Sequence, residues 1–205
     1  MVDTLNYSIG NNILDGGALL VISFPIDPIE VPKTPEEFRV QVKNLMASYH
    51  AGDIDLLQEI VQNSVDAIED KFSSDASDPK PRIEIELDSE EGTLAIRDNG
   101  PGISTSMLKR LGIPATTNKV GKRKRGHKGV GLTFAAWSSK LFRFATRRLE
   151  DHNVISGKLE NGIGWIEGTG SKYPKIEEDL SFRPKFLDEN QTGSVFEFRL
   201  GKTMI

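Results

Sequence analysis

The sequence predicts an α+β fold: a two-layer α/β sandwich with a mixed, mainly antiparallel sheet covered by helices on one face. Three observations carry this. Two amphipathic helical stretches come early, over residues 35–49 and 54–72. A polar–apolar alternation at 82–87 and 93–97 flanks a Glu91–Gly92 turn and predicts a hairpin. Further alternating segments fill the last third of the chain, at 140–148, 154–159, 164–168 and 195–200.

Taken in order, residues 18–24 are apolar, and Pro25, Pro28, Pro32 and Pro35 follow in quick succession. Proline fixes φ and removes a donor, so the stretch is expected to be extended, and residues 1–34 are read as an arm with a proline-rich connector. Thr34 and Pro35 open the first helix, with Glu36 and Glu37 in its first turn, where the helix dipole favours acids. Gly52 and Asp53 separate it from the second. In that second helix, Leu57, Val61, Val65 and Ile68 are expected to form the packing face, and Glu59, Asn63, Asp66 and Asp70 a face of oxygen atoms.

Residues 73–81 read as a loop. The second hairpin strand runs directly into Asp98, Asn99, Gly100, Pro101, Gly102 and Ile103. A short helix is expected over 104–111, then a basic, glycine-containing loop to 125 that reads as a lid. A glycine-rich segment, residues 126–131, opens a helix over 132–137. Residues 35–205 are thus read as one domain, a size consistent with a single core.

Composition narrows the function. Apolar residues make up 37% and charged residues 27% of the 205, as in globular proteins. The net charge of -4 argues against a general nucleic-acid binder. With no cysteine, disulfides, thiolate nucleophiles and cysteine-rich zinc sites are excluded. The scattered His50, His127 and His152 do not form a metal-ligand pattern. No apolar run reaches the roughly 20 residues that span a bilayer, and the first residues lack the order of a secretory signal. No membrane partner is expected, and the expected location is the cytoplasm, or the nucleus in a eukaryote.

Three segments carry chemistry. Glu59, Asn63 and Asp66, spaced four and three apart, share a helical face, and a carboxylate beside an amide oxygen can hold a water next to hydrated Mg²⁺. The solvated side of an amphipathic helix has the same pattern. Asp98 at a strand end can accept a hydrogen bond from an exocyclic amine, while Gly100 and Gly102 let the backbone approach a flat ring; a plain turn uses the same residues. Gly126, His127, Lys128, Gly129, Val130 and Gly131 precede a helix whose N-terminal amides favour phosphate. This segment matches neither the dinucleotide fingerprint nor the Walker loop.

The order of these segments, closed by Gly193 and Ser194 before the last strand, resembles the GHKL ATPase superfamily with its Bergerat fold. That superfamily contains type II topoisomerases, heat-shock-ninety-type chaperones, MutL, MORC proteins and histidine kinases. The resemblance covers about residues 50–200. It implies ATP and Mg²⁺ as cofactors, Glu59 as the base that activates water, Asn63 as the metal ligand, and Asp66 as a supporting residue. Asp98 would bind adenine beside Gly100, Gly102 and Ile103; Lys119, Lys128, the 126–131 glycines and Leu132 would lie around the phosphates and the base. Ser194, or alternatively Thr192, would supply the hydroxyl near the adenine.

The acid four residues before Asn63 resembles the hydrolytic branch, and His50 lacks the flanking pattern of a phosphoacceptor helix. Hydrolysis is therefore expected over histidine-kinase-like phosphotransfer, with a regulatory module that binds nucleotide without turnover as the alternative. The branch implies an ATP-dependent homodimer, with residues 18–24 as a candidate contact, and a transducer domain beyond Ile205. Its relatives also imply DNA or protein clients reached through other domains. The basic run from Lys119 to Lys128 fits phosphate neutralisation or a nucleic-acid patch.

Overall fold

The computed structural model describes residues 22–27, 34–47, 53–72, 80–113, 131–151, 153–168, 172–188 and 191–200. Helix α1 (Pro35–Ala47) starts with a reciprocal cap. The Glu37 amide donates to Thr34 Oγ1 and the Thr34 amide to Glu37 Oε2, each at 3.2 Å, satisfying two donors that helix geometry orphans. Helix α2 (Asp53–Phe72) follows, then the hairpin of β1 (Ile83–Asp88) and β2 (Thr93–Asp98). Its turn uses Gly92 at φ 62 and Asp88 Oδ1, which accepts from the Glu90 and Glu91 amides at 3.0 Å.

The chain continues through α3 (Thr105–Leu108), α4 (Gly131–Ser138), β3 (Ser139–Arg147), β4 (Ile155–Glu160), α5 (Gly162–Glu167), β5 (Glu177–Glu178), α6 (Lys185–Asp188) and β6 (Gly193–Leu200). The six strands form one sheet in the order β1-β2-β6-β3-β4-β5, and every pairing among the described residues is antiparallel. The last strand therefore lies in the middle of the sheet, between the hairpin and β3.

Alternation sorts the sheet into two faces. Register aligns Leu94 and Ile96 with Phe198 and Phe196, and these with Phe142 and Phe144. All six are buried, and they form one core with residues of α1, α2, α4 and α5. Helix α4 is buried nearly all round, which explains its uniformly apolar sequence. Its Trp137 packs edge-on to Phe38 at 5.1 Å and near Trp165 at 5.3 Å, and donates Nε1 to the Gly112 carbonyl at 2.9 Å. On the opposite face Ala145 and Val195 meet Val154 and Leu187, so the short α6 covers part of that side.

The expected strand at 164–168 is instead part of α5. Its buried residues, Gly162, Trp165 and Ile166, recur at helical spacing, and Gly162 abuts the Ala136 carbonyl; five residues were too few for an alternation to decide the period. On α2 the buried line is also rotated from the expected one. Ile60 and Ser64 are fully buried, Leu57 and Val61 pack partly against the core, and Val65 and Ile68 are half-buried outside it. Within the 1–34 stretch, Ile26 exchanges backbone hydrogen bonds with Ile176 at 2.8 and 3.0 Å and is buried, with Phe24 packed against the same core. Residues 1–21 and 28–33, the expected lid from 114 onward and the glycine segment up to Val130 lie outside the described residues.

Candidate nucleotide site

The site is built where the C-terminal turns of α2 cross the end of β2. Asp98 closes β2, pairs in register with Ser194 of β6, and Ser194 pairs with Thr146 of β3. Cross-strand partners point to one face, so the three polar side chains form a row on the helix-covered side. This row continues the apolar rows beneath it: where the strands leave the core, the side chains change from Phe and Ile to Asp, Ser and Thr.

Asp98 is only 4% exposed. Its Oδ1 accepts from the Gly100 amide at 2.9 Å and its Oδ2 faces the Ser64 hydroxyl of α2 at 3.4 Å. Burial pushes its pKa up to about 6; the Gly100 amide, Ser64 hydroxyl, Ser194 amide and Lys71 charge oppose that rise. A buried carboxylate held by neutral donors is a strong, directional acceptor. Thr146 Oγ1 accepts from the Ile103 amide at 2.9 Å, donates to the Gly193 carbonyl at 2.9 Å and meets Ser194 Oγ at 3.1 Å. Thr192, the alternative to Ser194, donates to the Gly100 carbonyl at 2.8 Å and accepts from Lys71.

Two glycines are required here. Gly102 has φ +78, and a Cβ on it would stand 2.3 Å from the Arg147 carbonyl oxygen, so the turn passes directly over the end of β3. Gly100 lies against Ala67 of α2, with an ideal Cβ 3.0 Å from that side chain. Glu59 and Asn63 are half-buried on α2, and Asp66 is buried at 6%, accepting from Gln62 Nε2 at 3.0 Å. Gly131, the first residue of α4, lies against Glu59, and Leu132 packs at the edge of the core. Glu59 thus stands beside the N-terminal end of α4, where unpaired amides favour negative charge.

Of the residues singled out from sequence, Asp98, Gly100, Gly102, Ile103 and Ser194 gather at the β2–β6–β3 row, and Glu59 meets Gly131. Lys119, Gly126, His127, Lys128, Gly129 and Val130 lie outside the described residues. Thr146, Ser64 and Lys71 were missed. Thr146 ends an alternating strand and Ser64 sits inside a helical pattern, so only the register across three strands and the burial of α2 single them out.

The family model of histidine kinase-, DNA gyrase B-, and HSP90-like ATPases matches residues 52–203. The chain belongs to that family, and residues 52–203 form an ATP-binding domain of the GHKL type. Among solved structures it is similar to the ATPase and transducer domains of DNA topoisomerase II from Balamuthia mandrillaris, with 18% identity and a TM-score of 0.51. That match covers 71% of this chain and 36% of the other, so the chain spans about a third of that structure, and the likeness is one of fold.

Proposed function

We propose that the chain binds ATP with Mg²⁺ and hydrolyses it slowly to ADP and phosphate, as a dimerising clamp or switch domain of a larger protein. The observation that carries this reading is the buried Asp98 in one row with Ser194 and Thr146, roofed by Ser64 of α2. The Asp98 carboxylate accepts the exocyclic amine of adenine, and Ser194 holds the hydroxyl side of the base. Gly100, Gly102 and Ile103 shape the wall along the ring.

Glu59 takes the proton from the water that attacks the γ-phosphate in line. The beginning of α4 at Gly131 and Leu132 faces the phosphates, and Gly126, His127, Lys128, Gly129, Val130 and Lys119 are proposed as further phosphate-binding residues. Among the described residues no group of three or more His, Cys, Asp or Glu could hold a metal ion. Magnesium would be taken mainly through phosphate oxygens and water, with Asn63 as the protein ligand and Asp66 supporting its helix. When bound, the ion neutralises charge developing on the transferred phosphoryl group. No described helix is long and apolar enough to cross a membrane; a cytoplasmic or nuclear setting is part of the proposal. An ATP-dependent homodimer, with residues 18–24 as the candidate contact, and DNA or protein clients reached through other domains belong to the same proposal.

The test is isothermal titration of the chain with a non-hydrolysable ATP analogue, with and without Mg²⁺, beside the Asp98→Asn variant. Binding that needs Mg²⁺ and is lost in the variant supports the reading. A folded wild-type chain that binds no analogue sinks it.

A further inference from the structure

Lys71 occupies the last turn of α2, half-buried, with its ammonium 4.9 Å from the Phe72 ring centroid. It donates to the Asn99 carbonyl at 2.6 Å and to Thr192 Oγ1 at 2.8 Å. Thr192 then donates to the Gly100 carbonyl at 2.8 Å. One ammonium therefore joins three segments that are distant in sequence: the end of α2, the turn after β2 and the residues entering β6. The far side of that turn is already tied down. The Asn99 side chain donates to the Lys80 carbonyl at 2.7 Å and accepts from the Arg82 amide at 2.8 Å, so it is committed to the start of β1.

We propose that Lys71 is a positioning residue of the nucleotide site, fastening the 99–102 turn to α2 and to the entry of β6 and so fixing where Asp98 and Gly102 stand. The inference rests on the ATP-binding reading above. Three points support it. The two bonds are charge-assisted, the class worth most when made and costing most when one partner is removed. The Asn99 carbonyl takes one of them directly, and the Gly100 carbonyl is reached through Thr192, so both residues that follow Asp98 are held. Desolvation lowers the Lys71 pKa while Asp98 raises it, and Lys71 in turn favours the charged form of Asp98. Burial is the largest influence on Asp98; against it act the Gly100 amide, the Ser64 hydroxyl, the Ser194 amide and, as the charged side chain among the described residues, Lys71.

The experiment compares the wild-type chain with Lys71→Met, which keeps the aliphatic stem, and Lys71→Arg, which keeps the charge. Affinity for a non-hydrolysable ATP analogue is measured across pH, and hydrogen exchange of the Gly100 amide and titration of the Asp98 carboxylate are followed by NMR without ligand. Lys71→Met should weaken binding about tenfold or more, speed Gly100 exchange by a similar factor, and move the acid limb of binding to higher pH. Lys71→Arg should restore the limb. Methionine that leaves exchange and the Asp98 titration unchanged overturns the inference, even if it lowers the thermal midpoint, because that pattern belongs to a plain fold stabiliser. A wild-type chain that binds no analogue overturns the ATP reading instead; the two ligand-free measurements still decide whether Lys71 holds the turn.

Discussion

A methyl group added to Gly131 would stand 2.6 Å from the Cβ of Glu59 and 2.9 Å from its Oε2. No real Cβ contact is that short, so α2 and the start of α4 meet at this point with room for hydrogen alone. Gly131→Ala should push Glu59 or the helix N-terminus aside. Overpacking of this kind costs about 1–3 kcal/mol, and a displacement near 1 Å at a catalytic base costs on the order of a hundredfold in rate. Thermal denaturation and phosphate release should therefore both fall. A variant with wild-type turnover would separate Glu59 from the chemistry.

Glu59 itself gives a sharper separation. Glu59→Gln keeps the side chain's shape beside Gly131 and removes its basicity. If Glu59 activates the water, turnover should drop by roughly a hundredfold to ten-thousandfold, while affinity for the ATP analogue stays within about threefold. Retained turnover would assign the base elsewhere. A wild-type chain that binds without turning over would point to the regulatory alternative.

Asp98 should set stability and binding against each other. An aspartate in the unfolded chain titrates near 3.9, whereas burial raises Asp98 to about 6. The folded state therefore holds this proton more tightly. Its contribution favours folding below the unfolded value and is lost as pH rises through about 6, a change of at most about 3 kcal/mol. At neutral pH the wild-type fold carries the cost of a buried charge that Asp98→Asn removes. Asp98→Asn should raise the ligand-free stability at neutral pH by roughly 1–3 kcal/mol in denaturant titration while weakening the ATP analogue at least about tenfold. For the wild type, affinity should decline as pH falls below about 6, since the protonated acid is a poorer acceptor. A variant that is both less stable and equally able to bind would contradict the assignment.

How much of this was legible in the sequence follows from the kind of signal each residue leaves. The α1 cap, the hairpin and the strand end at Asp98 depend on neighbours within a few positions, and Thr34, Gly92 and Asp98 fall where local rules put them. Trp165 failed that test because Gly162, Trp165 and Ile166 carry too short a pattern to separate a period near two from one near four. Ile60 was missed as the centre of the α2 stripe because which apolar flank faces inward depends on the sheet beneath it, notably Leu94 and Ile96. Thr146, Ser64 and Lys71 lie 48, 34 and 28 positions from the partners that give them meaning: Ser194, Asp98 and Asn99. No window along the chain holds both ends of those bonds.

Thr146 and Ser194 share one hydrogen bond at 3.1 Å, yet their other bonds differ. Thr146 also accepts from the Ile103 amide and donates to the Gly193 carbonyl, so its hydroxyl is committed to the protein. Thr146→Val keeps the shape and orphans both backbone groups, which should cost about 1–3 kcal/mol and loosen the backbone at Ile103 and Gly193. Ser194 is buried in the row but carries fewer structural bonds among the described residues, so Ser194→Ala should cost less than about 1 kcal/mol while still weakening the ATP analogue severalfold. Denaturant midpoints and titration calorimetry on the two variants read these quantities separately. If Ser194→Ala unfolds the chain as much as Thr146→Val does, Ser194 holds the sheet together and the hydroxyl beside the adenine must come from another residue.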